Sequence, residues 1–395
     1  MKICHVAPEL LPVPPTKGGA IERWIRDAAT MLAARGHDVH VMSRDHGDDR
    51  TSETIDGVRY HYVRVPPAID RGLPAVMLRG LWHYEGARRV LAAIGPDIVH
   101  HHSRPGGLWL SKGGAPTAKH VISLHSMEYG WAFGYAGWDR RVFNWGFDAA
   151  TRVLGVSNFI RAHADERYPR IRSKSKTVYN GVDVKLFRPA FAKATAGKPD
   201  DPPINTDFPI LYVGRVEERK GVHVLVDAFE QVISKQRPNA RLRIVGPHSY
   251  WHAKPSPYYQ ALAERCNNNP RIELLGPTYD DQALAAIYRD SACTVVPSVF
   301  PEALGLTALE AQASGVPVVV SNAGGLPETV SAGKSGLVFD NGNANQLAEA
   351  VVSIIGSPDR RRSMGAAARE WVMATFSWDV IADELERTYV EAMAA

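Results

Sequence analysis

Apolar positions along the chain alternate between short unbroken runs and stripes that recur every three or four residues. Ile3 to Ala7 is a run of the kind a buried strand presents. A loop rich in Pro and Gly, Pro12 through Gly19, follows it. Ile21, Trp24, Ile25, Ala28, Ala29, Leu32 and Ala33 then fall on one helical face. Gly36 is placed to cap that helix, and Val39 to Met42 returns as a strand. Asp97 to His100, Val121 to Leu124 and Val153 to Val156 read as further strands. Strands alternating with helices predict a parallel sheet covered on both faces.

The alternation stops over residues 188–209, where Pro189, Gly197, Pro199, Pro202, Pro203 and Pro209 mark a linker or exposed loop. It then restarts. Ile210 to Gly214 reads as a strand, and Val222, Leu225, Val226, Phe229, Val232 and Ile233 mark a helix. Arg241–Val245, Ile272–Leu275, Cys293–Val296 and Val316–Val320 read as strands. The expected organisation is an N-terminal Rossmann-like domain over 1–190 and a C-terminal one over 191–375. A last helix over 376–395 would cross back to the first domain. Two doubly wound units facing across a cleft would place the chemistry on loops beyond the carboxyl ends of their strands.

Length supports this division, since 395 residues exceed one ordinary core. Lys and Arg number 46 against 42 for Asp and Glu, an excess compatible with a polyphosphate ligand or an anionic membrane surface. The basic residues are dispersed and form no nucleic-acid module, so nucleic acid is not expected as a partner. Cys4, Cys266 and Cys293 are scattered, with no CxxC pair, as in a reducing compartment. Met1 to Val6 reads as a strand rather than a signal segment, and no window resembles a membrane span. A cytoplasmic, soluble protein is expected.

The most informative stretch is Pro301-Glu302-Ala303-Leu304-Gly305-Leu306-Thr307-Ala308-Leu309-Glu310. It follows a strand and opens a helix, where backbone N–H groups favour an anion and Gly305 admits a close ligand. Glu302 and Glu310 could hold two ends of one polyol ligand. Taken alone, the pair also describes a loop carboxylate and a solvated helix residue. Gly214-Arg215 through Lys220-Gly221 puts a guanidinium and an ammonium at the mouth of a strand, where a diphosphate could be clamped. By itself this could equally be a charged surface turn. His100, His101 and His102 tempt a metal assignment, which is rejected because successive strand residues point to opposite faces and no Cys or carboxylate completes a site. His101 or His102 would instead line the acceptor side.

Together these stretches resemble the donor-binding half of the family 4 retaining glycosyltransferases (group 1). Asn322-Ala323-Gly324-Gly325-Leu326-Pro327-Glu328, Asn180-Gly181-Val182-Asp183, Gly18-Gly19-Ala20-Ile21-Glu22 and the strand-end His125 match as well. The N-terminal wording is most similar to the spore-coat-type branch. The resemblance implies a GT-B fold and metal-independent transfer of a sugar, with retention, from a nucleotide-sugar donor to a hydroxyl-bearing acceptor. It implies no cofactor. Arg215 and Lys220 would contact the diphosphate and Glu310 the ribose. Glu302 would contact the transferred sugar, helped by backbone N–H groups of Ala303, Leu304, Gly305 and Leu306. Gly18 and Gly19 would let a loop close over the diphosphate, and His125 would hydrogen-bond the donor sugar. Family members commonly carry an acid after that His. Here Ser126 follows, with Glu128 beyond it, and the acid stays unassigned.

The resemblance implies UDP-N-acetylglucosamine or UDP-glucose as the donor, with GDP-mannose as competitor. A nucleotide-sugar epimerase and a catalytically silent coat protein of the same architecture are the alternatives. Leu73, Val76, Met77, Leu78, Leu81 and Trp82, mixed with Arg71, Arg79, Arg88 and Arg89, read either as a packed helix or as a membrane-surface helix suited to a lipid-linked acceptor. Oligomeric state is not legible.

Overall fold

The computed structural model describes residues 1–16, 19–66, 73–127, 139–189, 208–249 and 254–395. Gly18, Glu128, Arg71 and most of the 188–209 linker lie outside these residues. The chain divides into two compact units, Met1–Gly181 with Trp378–Ala395, and Val182–Ser377.

The first unit is built on eight strands: β1 (Lys2–Val6), β2 (Asp38–Arg44), β3 (Ser52–Ile55), β4 (Val58–Val63), β5 (Ile98–His102), β6 (Lys119–Leu124), β7 (Arg152–Gly155) and β8 (Ser175–Thr177). Their order is β3-β4-β2-β1-β5-β6-β7-β8. Every pairing is parallel except that of edge strand β3 with β4. Helix Ala20–Ala34 buries Trp24, Ile25, Ala28, Ala29 and Leu32, the stripe its periodicity predicts, and Gly36 beyond it has φ 88°. Helix Leu73–Ile94 packs Tyr84, Ala87 and Leu91 into the core while Leu78, Leu81 and Trp82 stay exposed.

The second unit has six strands: β9 (Phe208–Val213), β10 (Ala240–Val245), β11 (Ile272–Leu275), β12 (Cys293–Val296), β13 (Val318–Ser321) and β14 (Gly336–Phe339). Their order, β11-β10-β9-β12-β13-β14, is that of a doubly wound dinucleotide fold. All pairings are parallel, and β12 and β13 in the middle of the sheet read as nearly continuous buried runs, whereas β10 carries Arg241 and Arg243 and β11 carries Glu273. β9 begins two residues earlier than the sequence implies. Pro209 is tolerated in this central strand because it stands at its start, where its carbonyl still accepts from Ala292 N.

The last helix, Trp378–Ala394, belongs to the first unit. Its Trp378 indole meets Trp24 edge-on at 5.8 Å and lies against Gly181, where a Cβ would come within 2.4 Å of the ring. That contact explains the glycine of Asn180-Gly181-Val182-Asp183. Trp378→Ala is expected to destabilise the first unit by about 3–5 kcal/mol. Urea melting followed by far-UV circular dichroism checks this, and an unchanged midpoint would show that the helix docks without the indole.

Candidate active site

In each sheet the strand order reverses at one place, between β1 and β5 and between β9 and β12. Crossovers leave such a point in opposite directions, so the loops beyond the carboxyl ends diverge and leave room for a ligand. The predicted residues of the second unit fall at the β9/β12 point.

After β9, the chain runs through Arg215 to a single turn of 3-10 helix, Glu218–Lys220. Gly221 follows at φ 68°, and a Cβ there would stand 1.9 Å from the Pro297 carbonyl oxygen. The Arg219 carbonyl accepts from Val299 N and Phe300 N at 3.1 and 3.2 Å. These contacts stitch the β9 loop onto the β12 loop and carry Lys220 to Glu302. Lys220 Nζ donates to Glu302 Oε1 at 2.6 Å, and Ser298 Oγ donates to the same oxygen at 2.5 Å.

The Glu302 backbone is also held, since its N–H donates to Ala323 O and its carbonyl accepts from Gly325 N at 2.8 Å. Gly324, at φ 63°, lies so close that a Cβ would approach the Glu302 carbonyl to 2.4 Å. Residues 322–325 thus latch the carboxylate loop. Burial opposes ionisation of Glu302, but the Lys220 charge and hydrogen bond, Ser298 and Arg215 outweigh it and hold the carboxyl below its ordinary value.

Helix Leu306–Ala313 opens immediately afterwards, with Gly305 at its N-cap and no side-chain cap. Its first N–H groups have no intrahelical acceptors. Glu310 is no solvated helix residue: it is 6% exposed, and its Oε2 accepts from Tyr288 OH at 2.8 Å. Arg215 pairs with Glu217 at 2.8 Å. Arg215, Lys220, Glu302 and the Ala303–Leu306 backbone therefore share one loop cluster of the second unit, while Glu310 lies inside the helix that follows and bonds Tyr288. Ser298 escaped the sequence reading, although it lies four residues before Glu302 at a strand end.

The first unit gathers its polar residues at the β1/β5 point. Glu9 follows β1 and Arg104 follows β5, with Arg104 Nε 3.3 Å from the Glu9 carboxylate and Tyr84 OH donating to it at 3.2 Å. Gly19 caps helix Ala20–Ala34 at φ 114°, and a Cβ on it would come within 2.3 Å of Glu22 Oε2. Glu22 is 5% exposed. Burial pushes its carboxyl up to about 7, against the pull of Arg104.

His125 follows β6. Its N–H donates to Ser103 Oγ at 3.1 Å, and its ring meets Trp24 at 5.3 Å. Pairing of β1 with β5 sets His5 beside His100, so His5, His100 and His102 share one face while His101 turns away to His120. The three offer nitrogens within 4.8 Å of one another, a trio the sequence reading missed. Both His100 nitrogens lie 2.7 Å from hydroxyls, those of Tyr389 and Ser123. His101 and His102 are each 1% exposed, so neither lines a surface, contrary to expectation.

Residues 197–371 match the family described as Glycosyl transferases group 1, and residues 18–186 match Glycosyltransferase Family 4. The chain is 30% identical to D-inositol 3-phosphate glycosyltransferase of Segniliparus rotundus, over 98% of this chain and 88% of that one. The chain belongs to glycosyltransferase family 4. This glycosyltransferase is also 29% identical to Spore coat protein SA of Bacillus subtilis, over 98% and 99% of the two chains, in keeping with the branch its N-terminal wording resembles. The solved sucrose-phosphate synthase of Thermosynechococcus elongatus superposes with a TM-score of 0.77 at 25% identity, covering both chains fully. The fold is GT-B, and the chain is an enzyme that transfers glycosyl groups. Among the described residues, no helix is long and apolar enough to cross a membrane.

Glu22 makes stability depend on pH. Its folded-state value of about 7 exceeds the ordinary 4.5, so the folded form keeps a proton that the unfolded form loses. Its contribution is full below about pH 4.5 and declines by about 3 kcal/mol as pH rises to 7. Glu22→Gln, neutral throughout, is expected to gain stability over the parent progressively across that range. Melts at pH 5, 6, 7 and 8 check this, and a pH-independent difference would show that Glu22 is charged when folded.

Proposed function

We propose that this glycosyltransferase moves a hexose from a nucleoside diphosphate donor to a hydroxyl acceptor, with retention and without a metal ion or cofactor. The observation that carries the reading is the Lys220–Glu302–Ser298 contact at the β9/β12 reversal, beside the uncapped start of helix Leu306–Ala313. Arg215, Lys220 and the N–H groups of Ala303 to Leu306 take the diphosphate. Glu302 takes hydroxyls of the transferred sugar, and Glu310 those of the ribose. Gly18 and Gly19 are assigned to the diphosphate and His125 to a hydrogen bond with the sugar, as the family resemblance implies.

In the transfer step the bond from the anomeric carbon to the diphosphate oxygen breaks, and its electron pair stays on the diphosphate. Arg215 and Lys220 absorb that charge as it develops, which is where fixed donors accelerate most. The acceptor oxygen attacks from the same face. Its proton passes to the departing diphosphate oxygen, which needs no carboxylate nucleophile. UDP-N-acetylglucosamine or UDP-glucose is the donor we favour, with GDP-mannose as competitor. Exposed Leu78, Leu81 and Trp82 on helix Leu73–Ile94 favour an acceptor carried at a lipid surface.

A thermal-shift panel of UDP-, GDP- and ADP-sugars tests the donor. The matching donor at 100 times its Kd is expected to add about 2.7 kcal/mol of stability. With that donor, Lys220→Ala is expected to lower kcat by about 10²–10³, while a chelator leaves the parent's turnover unchanged. Near-normal turnover of Lys220→Ala, or loss of activity to the chelator, would sink the metal-free mechanism.

A further inference from the structure

Three imidazoles run in a line inward from the carboxyl end of β6. His125 Nε2 lies 3.0 Å from His102 Nδ1, and His102 Nε2 lies 3.1 Å from His5 Nδ1. The line ends at His5 Nε2, which is buried and has no hydrogen-bond partner among the described residues. Burial lowers the His5 and His125 rings to about 3 and holds His102 well below its usual value, with neighbouring His100, His125, His5 and His101 adding to the effect on His102. Each ring is therefore neutral at ordinary pH and carries one N–H and one lone pair.

Two hydrogen bonds among three neutral imidazoles require their protons to be ordered head to tail, and only two orders exist. In one, His5 Nδ1–H donates to His102 Nε2 and His102 Nδ1–H donates to His125 Nε2. This leaves a bare lone pair at buried His5 Nε2 and a proton on His125 Nδ1. In the other, every bond is reversed and an N–H is stranded at His5 Nε2. A stranded buried donor is the rarer defect, since an N–H without an acceptor forfeits its only bond. The first order prevails.

We infer that His102 and His5 are positioning residues that lock His125 in the Nδ1–H tautomer, so that it offers the bound sugar a hydrogen-bond donor rather than an acceptor. The ring is braced by Trp24, and its backbone is held by Ser103. A donor at this place selects a sugar oxygen with a free lone pair, and it strengthens if negative charge grows on that oxygen. The inference deepens the role given to His125 above and rests on it. The partner that fixes which imidazole nitrogen holds the proton is a recurrent control of histidine chemistry.

Nitrogen NMR of the unliganded enzyme, labelled with ¹⁵N-histidine, reads the tautomer directly. The His125 signals are assigned by their loss in His125→Gln. A protonated Nδ1 and bare Nε2 on His125 are expected, and the opposite tautomer, or an even mixture, overturns the relay. In His102→Phe, His125 is expected to show averaged shifts, and kcat to fall by about tenfold or more, as when an orienting partner is lost. A His125 tautomer unchanged by His102→Phe also overturns it. Should that variant not fold, the parent spectrum decides alone. If the tautomer is as inferred but His125→Gln transfers sugar at the parent rate, the role of His125 in transfer fails while the relay stands.

Discussion

The contact between Lys220 and Glu302 ties two strand-end loops of the second unit to each other, and it exists only because β9 and β12 are neighbours. Eighty-two residues separate the pair in sequence, yet Nζ and Oε1 stand 2.6 Å apart. Their side chains are 24% and 19% exposed, so the charges are partly withdrawn from water. Such a pair contributes little net stability by itself, because desolvation offsets attraction. Its effect is on arrangement. Arg215 is likewise paired, with Glu217, so neither cation is left bare. In the proposed roles, a diphosphate would have to draw Lys220 and Arg215 from these carboxylates. On that proposal Glu302, once freed, would turn its oxygens to sugar hydroxyls, and the phosphate and sugar positions would fill together.

Keeping that pair in register falls to backbone contacts that leave no space for a side chain. Gly221 touches the Pro297 carbonyl and Gly324 touches the Glu302 peptide. Both glycines have left-handed backbones, which any L side chain would strain. The glycine-rich stretch at 322–325 therefore acts as a brace for the carboxylate loop. A glycine-rich motif after a strand is commonly taken to cradle a ligand. Here its first demonstrable partner is the protein's own chain.

What could be read from the sequence follows the same division. The period change from strand to helix marked most of the parallel strands, because strands buried on both faces are plainly apolar. The edge pair β3 and β4 was not marked: Ser52–Ile55 is half exposed and polar, and such segments look like loops. Arg215, Lys220, Glu302 and Glu310 could be singled out in the sequence as candidates because their motifs are local. Glu9, Arg104 and the His5–His102–His125 line were not, since each depends on pairing of β1 with β5 or β5 with β6. No spacing along the chain announces a contact made across a sheet. The three consecutive histidines were visible, but their partner His5 lies ninety-five residues before His100 and enters only through register.

Both reversal points match a cation to a carboxylate, but the first unit adds a set of uncharged rings. At β9/β12 the groups are charged and matched, cation to carboxylate. At β1/β5 the Glu9–Arg104 pair stands beside a stack of neutral rings, with His100 and His102 centroids 4.5 Å apart. A neutral imidazole in a core must still satisfy its N–H, and His100 does so through Tyr389 and Ser123. Tyr389 comes from the last helix, which returns to this unit 289 residues after His100. That helix therefore supplies more than apolar cover. Its hydroxyl completes the hydrogen bonding of the ring stacked on His102, and His102 in turn bonds His125. One stacked pair thus stands between the last helix and the strand-end histidine.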